Sequence, residues 1–161
     1  MEHQKQPGST ASGFMEYKKL LLMVLLSFVA MYVLMYSMVN TFSNAIPNVN
    51  QFYMAGLMTM PMVIIELAVM GAMYRKKKLN AAIFAASSII LVCFFLGIRY
   101  QAAVGDKQFL KSMIPHHGAA ILMAGKANIK DPEIKKLTEQ IISSQQAEIE
   151  QMKAKLKEME K

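Results

Sequence analysis

One cysteine, Cys93, is all the thiol this chain carries, so it has no internal disulfide framework and no CxxC redox or zinc motif. Tryptophan is absent. HExxH, a nucleophile elbow and a P-loop are also missing, which removes the usual local signatures of metalloproteases, hydrolases and nucleotide enzymes. Glu-x-x-His is missing too, and redox di-iron chemistry in a helical bundle would want it on inward faces. These absences point to a binder, not an enzyme. There is no internal repeat and no low-complexity block. Charge is missing from two long stretches, Leu20 to Val39 and Asn40 to Phe52. A content of 54% hydrophobic residues, with mean hydropathy +0.27, is too apolar for a soluble domain with a polar surface. The net charge of +7 does not mark a nucleic-acid binder, because the basic residues cluster where membrane topology would put them.

What is present is a set of apolar runs and sixteen methionines in 161 residues. Leu20 to Val39 is twenty residues without a charge, and at about 1.5 Å per residue it covers roughly 30 Å, one hydrocarbon core. No small-residue cleavage site follows it, so it reads as an anchor. Residues 53–74 and 79–98 are the second and third spans, with Glu66 near the middle of the second. An ionisable residue at that depth marks a pathway, a proton site or a paired interior group. Arg75, Lys76, Lys77 and Lys78 separate spans two and three, and such a basic tip stays cytoplasmic; Lys18 and Lys19 agree. The expected organisation is a disordered cytoplasmic tail over 1–19, a membrane domain over 20–98, and an extracytoplasmic helical hairpin over 99–161. The tail's His3 reads as incidental.

The hairpin pattern is helical. Asp106 is the expected cap of the first helix, and Phe109, Leu110, Met113, Ile114, Ile121 and Leu122 follow helical spacing. Asn128 to Lys130 break the pattern. Asp131-Pro132-Glu133 then opens a second helix with an N-cap, a proline at the first position and an acid at the positive dipole end. Met113-Ile114-Pro115-His116-His117 puts two histidines directly after a proline. Met113 and His117 share a face, as do His116 and Met123. Imidazole and thioether donors suit copper far better than magnesium or calcium. Ser144, Gln145 and Glu148 interrupt the apolar seam of the facing helix and are placed to orient an imidazole. Spacing alone leaves a second reading open, in which these methionines fill the core.

Asp106-x-x-Phe109-Leu110-x-x-Met113-Ile114-Pro115-His116-His117, followed by Ala120-Ile121-x-Met123-Ala124 and later Gln145-x-x-Glu148-Ile149-x-x-Met152, resembles the signature of domain-of-unknown-function family 305. The resemblance covers about residues 105–156. The three spans, with Tyr53-Met54-Ala55-Gly56-Leu57-Met58, look like the family's membrane-anchored branch. It implies an all-α chain whose hairpin is half of a ferritin-like four-helix bundle, completed by a second subunit because the motif occurs once. It also implies copper bound through Met113, His116, His117, Met123 and Met152.

The spans hold further soft donors. Met31, Met35 and Met38 fall on one face of span one; Met54, Met58 and Met62 recur every four residues in span two; Cys93 lies in the same half of the membrane. The leading expectation is a membrane-anchored Cu(I) binder on the outer, periplasmic side of a bacterial inner membrane, serving tolerance, buffering or delivery. Its partners would be the lipid bilayer, a homo-oligomer formed through the hairpin, and copper-handling proteins, with no nucleic acid. Two alternatives stand beside it: a copper transporter or channel using the Met-rich spans and Glu66, and an oligomerisation module that binds no metal.

Overall fold

The computed structural model describes residues 9–161, with side chains from Met15 onward. His3 and the first eight residues of the expected tail lie outside the described residues. Five helices carry the fold: α1 (Ser9–Leu34), α2 (Val49–Val69), α3 (Lys77–Arg99), α4 (Asp106–Lys126) and α5 (Pro132–Glu158). Short 3-10 turns occupy Met35–Met38 and Phe42–Asn44, and there is no strand among the described residues. Three segments, Met15–Met38, Val49–Val69 and Lys77–Arg99, are long and apolar enough to cross a membrane.

The helices sort into two compact units that do not follow chain order. Among the described residues, one holds those up to Met31 together with Tyr53–Tyr100; the other holds Tyr32–Phe52 together with Gln101–Lys161.

In the first unit α2 supplies the inward face. Ala55, Gly56, Thr59, Met60, Val63 and Leu67 are its buried residues, and their spacing of three and four puts them on one side of the helix. Gly56 is needed there, because a Cβ at that position would stand 2.3 Å from the Phe94 ring of α3. The buried Thr59 hydroxyl donates to the Ala55 carbonyl at 2.7 Å, which spares the unit an unpaired polar group. Leu20, Val63, Leu67 and Tyr74 form the apolar cluster at one end. By contrast Leu21, Leu25, Leu26 and Val29 of α1, and Ile89, Val92 and Phe95 of α3, are half or more exposed. An apolar exterior of this extent is compatible with a membrane protein.

The ends of α2 differ from the expected span of 53–74. The helix starts earlier because Asn48 caps it, its side-chain oxygen accepting from the Gln51 N–H at 2.9 Å, while Gln108 accepts from the Val49 N–H at 3.2 Å. It ends at Val69, and the chain turns, with Met73 N–H donating to the Met70 carbonyl at 2.9 Å. Tyr74 then folds back, donating its hydroxyl to Glu66 Oε1 at 3.0 Å. Glu66 is therefore in the last turn of α2, not near the middle of a span. Residues 9–19 belong to α1, held where the Tyr17 ring stacks at 5.4 Å from Tyr74 and the Tyr17 hydroxyl donates to Asn80 at 2.6 Å.

The second unit is built on the α4–α5 hairpin. The helices run antiparallel, with Lys107 near the start of α4 paired to Glu160 past the end of α5 at 3.5 Å. Asp131 caps α5 by accepting from the N–H groups of Glu133 at 2.8 Å and Ile134 at 3.0 Å. At α4 the cap is Gly105, whose carbonyl accepts from Phe109 N–H at 2.8 Å; Asp106 is the first helical residue, where its charge still meets the positive helix end. Ile114, Ile149 and Leu156 form the core, flanked by Leu110, Ile121, Met152 and Ile46. Each such aliphatic side chain contributes about 1.5–3 kcal/mol on burial. Ile46 comes from the uncharged loop before α2, which is stitched to the hairpin by Lys153 Nζ donating to Ser43 at 3.2 Å and Ser112 donating to Asn48 at 3.3 Å.

Candidate functional site

Helix α4 carries the site. Pro115 sits inside it and is buried, and the helix continues to Lys126. Around Pro115 the inward residues are Ile114, which fills the core, and His117 and Gly118, which are buried, while His116 between them is exposed. Gly118 lets the loop approach, since a Cβ there would stand 2.9 Å from Asn40 Oδ1 and 3.4 Å from Asn44 Cβ. Asn44, itself buried, donates to Asn40 Oδ1 at 2.7 Å. Two asparagines of the loop are thus packed against the helical turn that holds His117.

His117 is engaged at both ring nitrogens. Nδ1 lies 2.9 Å from the Met113 carbonyl oxygen, which only accepts, so Nδ1 carries the hydrogen. Nε2 lies 2.7 Å from Glu148 Oε2. The proton between them makes the pair either an imidazolium with a carboxylate or a neutral ring with a carboxylic acid. The His117 side chain is 8% exposed and that of Glu148 is 52% exposed, so the ring is enclosed by the protein while its partner reaches solvent. An imidazole held at Nδ1 by a backbone carbonyl is in the state in which metal-binding histidines are oriented, with Nε2 directed at the ligand.

His117 and Glu148 line a cavity of about 320 Å³ together with Phe109, Leu110, Met113, Gln151, Met152 and Lys155. Of the five expected ligands, Met113, His117 and Met152 therefore line one cavity. His116 and Met123 do not line that cavity; both are exposed, and the His116 ring centroid is 6.3 Å from that of His117. Glu148, expected to orient the imidazole, lies 2.7 Å from Nε2, whereas Gln145 is half-buried on α5 without lining the cavity. Gln151 and Lys155 were not read from the sequence, although they follow Glu148 by three and seven residues and so share its face. Among the described residues no three His, Cys, Asp or Glu side chains converge. A metal here would depend on thioethers. The donors present, one nitrogen, two sulfurs and one carboxylate around a mainly apolar pocket, fit a soft ion such as Cu(I) and do not fit a hard one.

The other candidates are spread along the apolar helices. Met54 and Met58 are exposed and Met62 is half-buried on α2, where the methionine on the buried face is Met60. Met31 is half-buried in α1, Met35 and Met38 lie in the 3-10 turn that follows it, and Cys93 is exposed on α3. Glu66 lines a separate cavity of about 260 Å³ with Glu16, Lys19, Leu20, Met23, Met73 and Tyr74. Burial first, and the hydrogen bond to Glu66 second, push the Tyr74 hydroxyl up to about 12, so it remains a protonated donor at neutral pH.

Fold and site together define a class: an all-helical chain with three span-capable helices and a hairpin that holds a buried histidine against a glutamate. The family model described as a domain of unknown function, DUF305, matches residues 95–157, the end of α3 and nearly all of the hairpin. An uncharacterized protein of Acanthamoeba polyphaga mimivirus is 39% identical over 150 residues, 89% of this chain and 95% of that protein. The chain belongs to the DUF305 family. No solved structure matches it at a significant level.

Proposed function

We propose that the chain is a membrane-anchored copper(I) binder in which His117 Nε2, Met113 and Met152 hold the ion. It is a binding protein rather than an enzyme. The observation that carries this reading is that these three side chains and Glu148 line one cavity, with Nδ1 of His117 already committed to a carbonyl. Glu148 would then release Nε2 to the ion and stay as its nearest negative charge. His116 and Met123, both exposed, are secondary candidates for passing copper to another protein.

The orientation proposed is the one that puts Arg75 to Lys78, Lys18 and Lys19 in the cytosol, which leaves the hairpin on the outer side. A bacterial inner membrane with a periplasmic hairpin fits that reading. The viral relative extends it to any membrane with a cytosolic face. Phe109, Ile134, Leu137 and Met159 are exposed apolar residues on or next to the hairpin helices, and they favour pairing of two hairpins into a ferritin-like four-helix unit.

The test is Cu(I) titration of the purified chain against a competing chelator. Wild type is expected to bind, with affinity reduced at least tenfold by His117→Ala and by Met152→Leu, and little changed by His116→Ala. Absence of binding in wild type, or binding indifferent to His117, removes the proposal and leaves the His117–Glu148 pair as a packing contact of an assembly module. Copper flux through vesicles, lost on Met58→Leu, would favour the transporter instead.

A further inference from the structure

Six cations gather at one end of the unit that holds the span-capable helices. Lys18 and Lys19 lie on α1, Arg75 and Lys76 in the turn, and Lys77 and Lys78 at the start of α3; all six are exposed. In sequence they form two basic segments more than fifty residues apart. Tyr17 brings them together. Its ring packs on the buried Tyr74 at 5.4 Å. Its hydroxyl donates to Asn80 Oδ1 at 2.6 Å and accepts from the Lys76 N–H at 3.3 Å. Asn80 in turn donates to the Tyr74 carbonyl at 2.8 Å. The basic residues therefore stand on a hydrogen-bonded frame. Glu16 and Glu66 face the same end, which leaves six cations against two carboxylates.

Cations at the ends of membrane-crossing helices lie at headgroup depth, and a basic tip by itself does no more than set orientation. Two basic segments joined by a tertiary contact do more, because they set ammonium and guanidinium groups, which match phosphate oxygens, at one end of the unit. We propose that this patch binds the phosphate-bearing headgroups of anionic phospholipids. The inference rests on the membrane reading above and is independent of any metal.

The experiment uses the full chain in mixed micelles of phosphatidylcholine and phosphatidylglycerol, with retained lipid counted by native mass spectrometry. Wild type should retain phosphatidylglycerol in preference. Lys76→Gln/Lys77→Gln/Lys78→Gln should weaken that retention on the order of tenfold or more. Tyr17→Phe, which keeps every charge but loses the frame, should weaken it severalfold. Lys135→Gln/Lys136→Gln, on α5 of the other unit, should leave it unchanged. Equal retention of the two lipids by wild type overturns the proposal, and so does an unchanged Tyr17→Phe. Displacement of the lipid by soluble glycerol phosphate also overturns it, in favour of a site for free phosphate. A chain that stays soluble without detergent would refute the membrane reading itself, a result distinct from each of these.

Discussion

The two units of this chain solve the burial problem in opposite ways. In the unit of apolar helices the outside is Leu, Ile, Val and Phe, while the inside relies on close approach: Gly56 beneath Phe94, a self-satisfied Thr59, and one small cluster around Leu20 and Tyr74. In the hairpin unit the surface of α5 is mostly Lys, Glu and Gln, with Ile134 and Leu137 exposed near its start, and the inside is aliphatic, with Ile114 and Ile149 almost fully removed from solvent. The difference teaches where a polar side chain gains significance. Against an apolar exterior, Glu66 is matched by one phenol at the end of its helix. Beside an aliphatic core, the buried His117 is matched at both nitrogens.

That contrast can be broken most forcefully at the two cores. Ile149→Ala should destabilise the hairpin unit by about 2–5 kcal/mol, read as lost amide protection across α4 and α5. Ile89→Ala, on the exposed face of α3, should change the thermal transition by less than about 1 kcal/mol, because the side chain is 64% exposed. A comparable loss at Ile89 would show that α3's outer face is covered by protein. The next largest effect is expected at the glycines. Gly56→Ala must displace an aromatic ring and should cost about 1–3 kcal/mol. Gly118→Ala meets the amide of Asn40, the end of a flexible side chain, and should cost less. Its signature is protease sensitivity in the loop around Asn40 to Asn48.

A smaller effect separates the polar contacts. Glu148→Gln keeps a hydrogen-bonding group beside Nε2 and removes its charge; Glu148 is half-exposed, so the stability change should stay below about 1 kcal/mol. Ring nitrogen shifts by NMR should nevertheless report a change at His117 Nε2 with Nδ1 undisturbed. The smallest effect belongs to Tyr74. Its hydroxyl is raised to about 12, above the ordinary tyrosine value near 10. The folded state therefore holds that proton more tightly than the unfolded one, and stability falls as pH rises from about 10 toward about 12. Tyr74→Phe should flatten the alkaline slope measured for wild type; an identical slope would mean that the lysines alone produce it.

Much of this was legible in the residues. The start of α5 follows from Asp131-Pro132-Glu133, because capping is chemistry between neighbours in sequence. The span-capable helices follow from uncharged runs of the right length. The end of α2 could not be read that way, since apolarity continues to Tyr74 while the helix stops at Val69, and the stop depends on contacts that Tyr74 makes with Glu66 and Asn80. Nor could the loop's asparagines be read, having no hydrophobic period to reveal that they pack against Gly118.

The sequence by itself therefore determined the helices, their apolar or amphipathic character and the Pro-His-His motif, because these depend on period, length and local capping. Only the tertiary structure decided which histidine is buried. Consecutive helical residues point about 100° apart, so one of the pair must turn outward. The ring that turns inward is His117, and it meets there a residue thirty-one positions away in the chain, Glu148, at 2.7 Å.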